Sequence, residues 1–151
     1  MADQIFDHEK LDVYRLSIDY VGETFAVAAT LSGLHRHSRD QWLRAAQSIP
    51  LNIAEGNGKR SLKDRARFFD ISRGSALECS AIQDVLLISL AISKATSDPM
   101  KAKLKRIVSM LTRLAMRSDR VSESPTRYDS PDIDYEHDYE HEHEHRFAEH
   151  E

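Results

Sequence analysis

The chain contains 151 residues, of which 40% are hydrophobic and 30% are charged, and its formal net charge is −4. This is the size of one ordinary domain, with enough apolar material for a hydrophobic core. The single cysteine excludes an intramolecular disulfide, and no apolar run approaches the roughly 18 residues that a membrane span requires. The first ten residues hold acidic side chains and no apolar segment, so we expect no secretory signal, no membrane contact and a cytoplasmic location.

The charge is distributed unevenly along the chain. Residues 1–120 carry 19 Lys and Arg against 14 Asp and Glu, a net of +5, whereas residues 121–151 carry 2 against 11, a net of −9. Such asymmetry is typical of proteins that contact nucleic acid or that carry a solvating tail. We therefore divide the chain into a folded domain, residues 1–120, and an acidic tail, residues 121–151.

The first of four segments with helical spacing runs from about His8 to Leu31, and Asp7 is placed to cap it. Its predicted buried stripe consists of Leu11, Tyr14, Ile18, Val21, Phe25 and Ala28. Further apolar residues lie off this stripe, and we expect them to be exposed and to contribute to an oligomer interface. They include Val13, Leu16 and Tyr20.

The second segment opens with Ser38 and Gln41, which match the Ser-x-x-Gln form of a capping box. Its predicted buried stripe consists of Trp42, Ala46, Ile49 and Ile53. Pro50 lies inside the segment and removes one backbone hydrogen bond. The pattern predicts a kinked helix that ends in a left-handed Gly56 or Gly58, or alternatively two short helices separated at Ile49.

The third segment begins at Ser61 and is predicted to continue to about Lys94. Its stripe consists of Phe69, Ala76, Cys79, Leu86 and Leu90, with Ser72 and Gln83 in register between them. The fourth segment has Asp98 as its predicted cap and Pro99 at its first position, and it should fade at residues 117–120. Its stripe consists of Met100, Leu104, Ile107, Leu111 and Leu114.

Four amphipathic segments with short links, and no alternation typical of strands, predict an all-α, antiparallel up-down four-helix bundle. The tail is dense in acidic residues and is predicted to be disordered. Histidine alternates with carboxylates in residues 136–145, but such a tract provides nothing to orient the rings, so we expect no resident metal ion and no cofactor. The tail is either simply solvated, or it screens the basic domain until a polyanion displaces it.

One stretch is more specific than the helix patterns: residues 48–56 read Ser-Ile-Pro-Leu-Asn-Ile-Ala-Glu-Gly. With Leu-Asp-Val-Tyr at 11–14, Arg-Ala-Ala at 44–46 and Arg-Gly-Ser-Ala-Leu-Glu at 73–78, it resembles the four-helix-bundle family of proteins encoded in 23S rRNA intervening sequences. The similarity extends over roughly residues 9–118.

The resemblance implies a bundle whose second helix accommodates the proline, and assembly into a homo-oligomeric, pentameric ring. A related accessory protein of diversity-generating retroelements is similar in fold; it partners a reverse transcriptase and contacts nucleic acid through a basic surface. We therefore expect a non-enzymatic accessory or scaffold protein that binds RNA or DNA, or a nucleic-acid-processing partner such as a reverse transcriptase. The alternative is an assembly module that binds only proteins.

Basic residues that could contact phosphates lie in the first two connections and along the third segment. The candidates are Arg36, Arg39, Lys59, Arg60, Lys63, Arg65, Arg67 and Arg73. Because no base-reading motif accompanies them, any binding should show little sequence preference. A solvated charged surface is the alternative interpretation.

A second candidate set lies along one face of the second helix and is interpreted as a structural polar network with Glu78 on the third helix. It consists of Arg44, Ser48, Asn52 and Glu55. We expect Ser48 and Asn52 to bond to Glu78, and Asn52 also to support the backbone around Pro50. Cys79 lies on an apolar stripe, which favours a buried thiol over a nucleophile, and the sequence offers no catalytic residues.

Overall fold

The computed structural model describes residues 4–122, with side chains through residue 119. Its four helices are α1 (Asp12–Ala28), α2 (Arg36–Gly58), α3 (Leu62–Ile88) and α4 (Lys94–Ser122). A 3-10 turn precedes α1, another joins α1 to α2, and the described part of the chain contains no strand. The predicted disordered tail lies outside the described residues, apart from the last two residues of α4.

Each helix packs against the next, and α4 also packs against α1, so the prediction of an antiparallel up-down four-helix bundle is confirmed. Between residues 4 and 122, no helix combines the length and the apolar character that crossing a bilayer would require.

Two contacts fix how α3 and α4 lie against each other. The guanidinium Nε of Arg73 donates to Oγ1 of Thr112 at 2.9 Å, and the ammonium of Lys101 pairs with the carboxylate of Asp84. Between these contacts, α3 advances by 11 residues while α4 goes back by 11, as an antiparallel pair requires. Ten residues beyond Thr112, the end of α4 at residue 122 is therefore level with residue 63, near the start of α3.

The stripe predicted for α1 is wrong at two of its six positions, while Ala28 is buried and the other three are half-buried against the core. Ile18 and Phe25 are exposed, whereas Val13, Leu16 and Tyr20, which were expected to be exposed, are buried. The helix carries two overlapping apolar faces, and the face that points at the other three helices is the one that includes Tyr20.

The predicted starts of α1 and α2 are also wrong. Asp7 belongs to the first 3-10 turn, and α1 begins at Asp12 without a side-chain cap. α2 begins at Arg36, so Ser38 lies in its first turn and does not cap it. Asp and Ser are favoured both before a helix and in its first turn, so composition alone did not locate either boundary.

α2 is one helix that runs through Pro50, so the two-helix alternative is wrong. Neither Gly56 nor Gly58 adopts the predicted left-handed conformation. Gly56 is instead needed for close packing of α2 on α3: a Cβ there would lie 2.9 Å from the Cβ of Phe68 and 3.2 Å from the ring of Phe69.

α3 begins as predicted, with the hydroxyl of Ser61 accepting from the amide of Asp64 at 3.3 Å, but it ends at Ile88 and not near Lys94. The helix terminates in a left-handed turn, in which Leu90 has a φ of 61° and is 90% exposed.

Hydrogen bonds close this turn in the pattern of a Schellman motif. The amide of Ala91 donates to the carbonyl oxygen of Leu86 at 2.9 Å, and the amide of Leu90 donates to that of Leu87 at 3.1 Å.

α4 begins five residues earlier than predicted, at Lys94. The hydroxyl of Ser93 accepts from the amide of Thr96 at 3.1 Å and takes the capping role that was expected of Asp98. Pro99 consequently lies inside the helix. The stripes of α2 and α4 are buried as predicted, except that Leu114 is only half-buried.

Candidate nucleic-acid interface

The eight basic candidates do not form one surface. Arg36 starts α2 and Lys59 follows its end, so about 34 Å of helix separates them at 1.5 Å per residue. Arg36 and Arg39 therefore lie at one end of the bundle, and the other six lie towards the opposite end. We call the group Lys59, Arg60, Lys63, Arg65 and Arg67 the cationic end.

Two of the eight candidates hold the bundle together. Arg39 donates to the carbonyl oxygen of Leu31 at 3.2 Å, which ties the start of α2 to the first residues of the α1–α2 connection. It also pairs with the neighbouring Asp40 at 3.0 Å. Arg73 is half-buried and joins α3 to Thr112 of α4, as described above. These contacts give both arginines a structural role.

The aromatic ring of Phe68 organises the cationic end. The ammonium of Lys59 lies 5.0 Å from its centroid, and the guanidinium carbon of Arg67 lies 5.6 Å from it. Both distances are within the range of a cation–π interaction. Lys59 also pairs with Glu55 at 3.6 Å, and the Nε of Arg65 donates to the backbone carbonyl of Lys59 at 2.8 Å. These contacts hold several cations close together.

The local sequence makes this region positive. Residues 59–67 carry five Lys or Arg against one Asp, a net of +4. The partial positive charge at the start of α3 is offset by the partial negative charge at the end of α2, so the charged side chains set the sign. Arg60 is exposed, and α4 brings the exposed Arg117 close to the same end because it runs antiparallel to α3.

The polar line of α2 borders an open groove of about 420 Å³ between α2 and α3. Its lining consists of Arg44, Gln47, Ser48, Leu51, Asn52, Glu55 and Phe68. The hydroxyl of Ser48 lies 2.8 Å from that of Ser75, and the side-chain amide of Asn52 donates to the Ser48 hydroxyl at 2.9 Å. The same amide donates to the Ser48 carbonyl oxygen at 2.8 Å.

The expected bonds from Ser48 and Asn52 to Glu78 are not formed. In the antiparallel packing of α2 on α3, Ser75 is the residue level with Ser48, and Glu78 lies opposite the first half of α2, where it accepts from Gln41 at 3.5 Å. The backbone beside Pro50 receives further support from α3, because the hydroxyl of Ser72 donates to the carbonyl oxygen of Ile49 at 2.8 Å.

A buried chain of hydrogen bonds, which the sequence patterns did not predict, joins all four helices. The indole of Trp42 on α2 donates to the hydroxyl of Tyr20 on α1 at 3.0 Å. That hydroxyl donates to Gln83 on α3, whose side-chain amide donates to the hydroxyl of Ser97 on α4 at 3.0 Å. The position of Gln83 within an apolar stripe was the available signal, since a buried amide requires partners.

Cys79 lies beside this chain of hydrogen bonds and is fully buried. Burial raises the pKa of its thiol, and that of the neighbouring Tyr20 hydroxyl, well above their ordinary values. The thiol is therefore protonated at neutral pH.

These features define an all-α bundle with a buried chain of hydrogen bonds at its centre and a cationic end. The sequence profile of the family described as "23S rRNA-intervening sequence protein" matches residues 9–113. The chain belongs to that family, which confirms the resemblance seen in residues 48–56.

Among solved structures, the chain is similar to a protein of unknown function from the S23 ribosomal protein family of Bacteroides thetaiotaomicron. The TM-score is 0.64 and the sequence identity is 19%, over 68% of this chain and 97% of that chain. At this identity the similarity shows the fold alone. None of the curated proteins matches the chain.

Proposed function

We propose that this protein is a non-enzymatic accessory protein that binds the phosphate backbone of RNA or DNA through its cationic end. The observation that carries the proposal is the concentration of five Lys and Arg within residues 59–67, at the start of a helix. Lysine and arginine that neutralise phosphates release condensed counterions. This interaction does not read base identity, so binding should be independent of sequence.

We further propose that the protein is a homo-oligomer, and a pentamer as the resemblance implies. Support comes from the outward face of α3, where Leu77, Val85 and Ile88 are 46%, 52% and 84% exposed and Ala81 lies between them. We call these four residues the α3 stripe. An exposed apolar stripe is typical of a protein interface. A ring would also place several cationic ends on one assembly, so that one strand could contact more than one protomer.

The α3 stripe also favours a second candidate function, an assembly module that binds a protein partner without contacting nucleic acid.

Light scattering of the wild type and of a Leu77→Ser/Ile88→Ser variant tests whether the α3 stripe forms the oligomer interface. We expect the wild type to be oligomeric and the variant to have a smaller mass. A monomeric wild type would contradict the oligomer proposal.

Retention of single-stranded RNA and DNA by the immobilised protein tests nucleic-acid binding. We expect retention at about 50 mM salt and its loss at about 300 mM, because counterion release makes the affinity fall steeply with salt. RNAs of different base composition should be retained equally. Negligible retention at both salt concentrations would contradict the first function and favour the assembly module.

A further inference from the structure

The end of α4 lies beside the cationic end. The contacts of Arg73 with Thr112 and of Lys101 with Asp84 place residue 122 level with Lys63 of α3. Packed helices have axes about 8–10 Å apart. The chain that follows α4 therefore starts about one helix diameter from the helix that carries Lys63, Arg65 and Arg67.

The sequence beyond this point has the opposite charge. Residues 129–144 contain eight Asp and Glu and no Lys or Arg, whereas residues 59–67 have a net charge of +4. Six residues, 123–128, connect the end of α4 to this acidic segment, and six extended residues span up to about 20 Å. The acidic segment is thus within reach of the whole cationic end.

We propose that the acidic segment, residues 129–144, docks on the cationic end of its own chain. It thereby covers the surface that the proposed function assigns to nucleic acid, so the segment and nucleic acid compete for that surface. Only this competition, and not the docking itself, rests on the proposed function. The short connection gives the segment a high effective concentration at the surface. Each ion pair there is solvent-exposed and individually weak, so the contact is reversible and weakened by salt. A polyanion with many phosphates displaces the segment.

Paramagnetic relaxation in the full-length chain tests the contact in the absence of nucleic acid. Because Cys79 is the chain's only cysteine and is buried, a Ser130→Cys variant accepts a nitroxide label within the acidic segment alone. We expect stronger broadening of the amide signals of residues 60–67 than of residues 7–12, which lie at the same end of the bundle before α1. About 0.5 M salt should remove the difference.

The matched control is the same labelled chain with the eight carboxylates of residues 129–144 changed to the corresponding amides. Its label has the same tether, so it should broaden residues 7–12 and 60–67 to similar extents. If the labelled chain with the unchanged acidic segment also broadens residues 7–12 and residues 60–67 to similar extents, the docking proposal is overturned.

Adding a single-stranded RNA of about 20 nucleotides tests the competition. We expect the selective broadening of residues 60–67 to fall to the level of the control chain as the RNA binds. If RNA binds without reducing this broadening, the proposed competition between RNA and the acidic segment is overturned. If the RNA binds neither chain, the proposed function fails, while the broadening measured without RNA still decides whether the segment docks.

Discussion

The hydroxyl of Tyr20 on α1 donates a 2.6 Å hydrogen bond to Oε1 of Gln83 on α3, across the centre of the bundle. Both side chains are fully buried, and both have further partners, Trp42 and Ser97, on the remaining two helices. A buried polar group is costly unless it is satisfied, so this chain of bonds favours one alignment of the four helices over others of similar apolar packing.

Removing the Tyr20 hydroxyl should therefore be costly for stability. A Tyr20→Phe substitution leaves the Trp42 indole and the Gln83 carbonyl oxygen buried without this partner, and we expect a loss of about 2 kcal/mol in the free energy of unfolding. Denaturant unfolding measures the loss. Tyr14→Phe, at a half-buried position of the same helix, is the matched control and should change stability by less than about 0.5 kcal/mol. Equal losses of unfolding free energy in the two variants would contradict the stabilising role of the buried chain of hydrogen bonds.

The close packing of α2 on α3 predicts that replacing Gly56 destabilises the protein. A Gly56→Ala substitution places a Cβ 2.9 Å from the Cβ of Phe68, so the helices must separate, and we expect a loss of about 1–3 kcal/mol. Gly22→Ala, on α1 where nothing lies within 4 Å of the added atom, should instead stabilise the protein by up to about 1 kcal/mol. Thermal and denaturant unfolding compare the two variants, and a tolerated Gly56→Ala would show that the helix contact is looser than described.

The left-handed conformation of Leu90 predicts a stabilising substitution. Leu90→Gly removes the clash of a Cβ at φ of 61°, and the lost side chain is 90% exposed, so we expect a gain of about 0.5–1 kcal/mol. Leu34 is 98% exposed but does not have a positive φ, and Leu34→Gly should destabilise the protein slightly through chain entropy. Denaturant midpoints that shift in the same direction for both variants would contradict this account of how α3 ends.

Burial of Cys79 predicts both its reactivity and a dependence of stability on pH. The pKa of the folded thiol is raised above the ordinary 9.0, so below about pH 9 the thiol is protonated in the folded and unfolded states and contributes no pH dependence. Above this pH only the unfolded chain loses the proton, so the stability falls as the pH rises. The raised pKa of Tyr20 acts in the same direction above its ordinary 10.0.

A disulfide-exchange reagent tests this prediction directly. At about pH 8 the folded protein should react far more slowly than the denatured chain, with a rate that follows unfolding. Rapid reaction under native conditions would show that Cys79 is accessible.

The sequence predicted the bundle correctly because α2 and α4 each carry one apolar stripe. The sequence misplaced part of the buried stripe of α1 because Ser17 and Thr24, which look like surface residues, lie on the buried face. Their hydroxyls donate to the carbonyl oxygens of Tyr14 and Tyr20 within the same helix, so they are buried without losing hydrogen bonds.

The candidate site was only partly predictable. The concentration of basic residues is visible in the sequence, and a single second helix already places Arg36 and Lys59 at its opposite ends. The partner of Ser48 was not predictable, because the choice between Ser75 and Glu78 depends on how far α2 and α3 are shifted along each other. That shift is set by side-chain packing, including the contact of Gly56 with Phe68, and not by the pattern of either helix.

The salt dependence of RNA binding, compared between variants at the two ends of the bundle, tests the central claim most directly. An Arg60→Glu/Lys63→Glu variant should bind RNA at least about tenfold more weakly than the wild type at low salt, with a slope of log affinity against log salt that is shallower by about 2. Arg36 at the start of α2 and Lys105 in the first half of α4 are both exposed and lie away from the cationic end. An Arg36→Glu/Lys105→Glu variant makes the same change in net charge and should keep a slope close to that of the wild type. Equal effects of the two variants would contradict a binding surface at the cationic end.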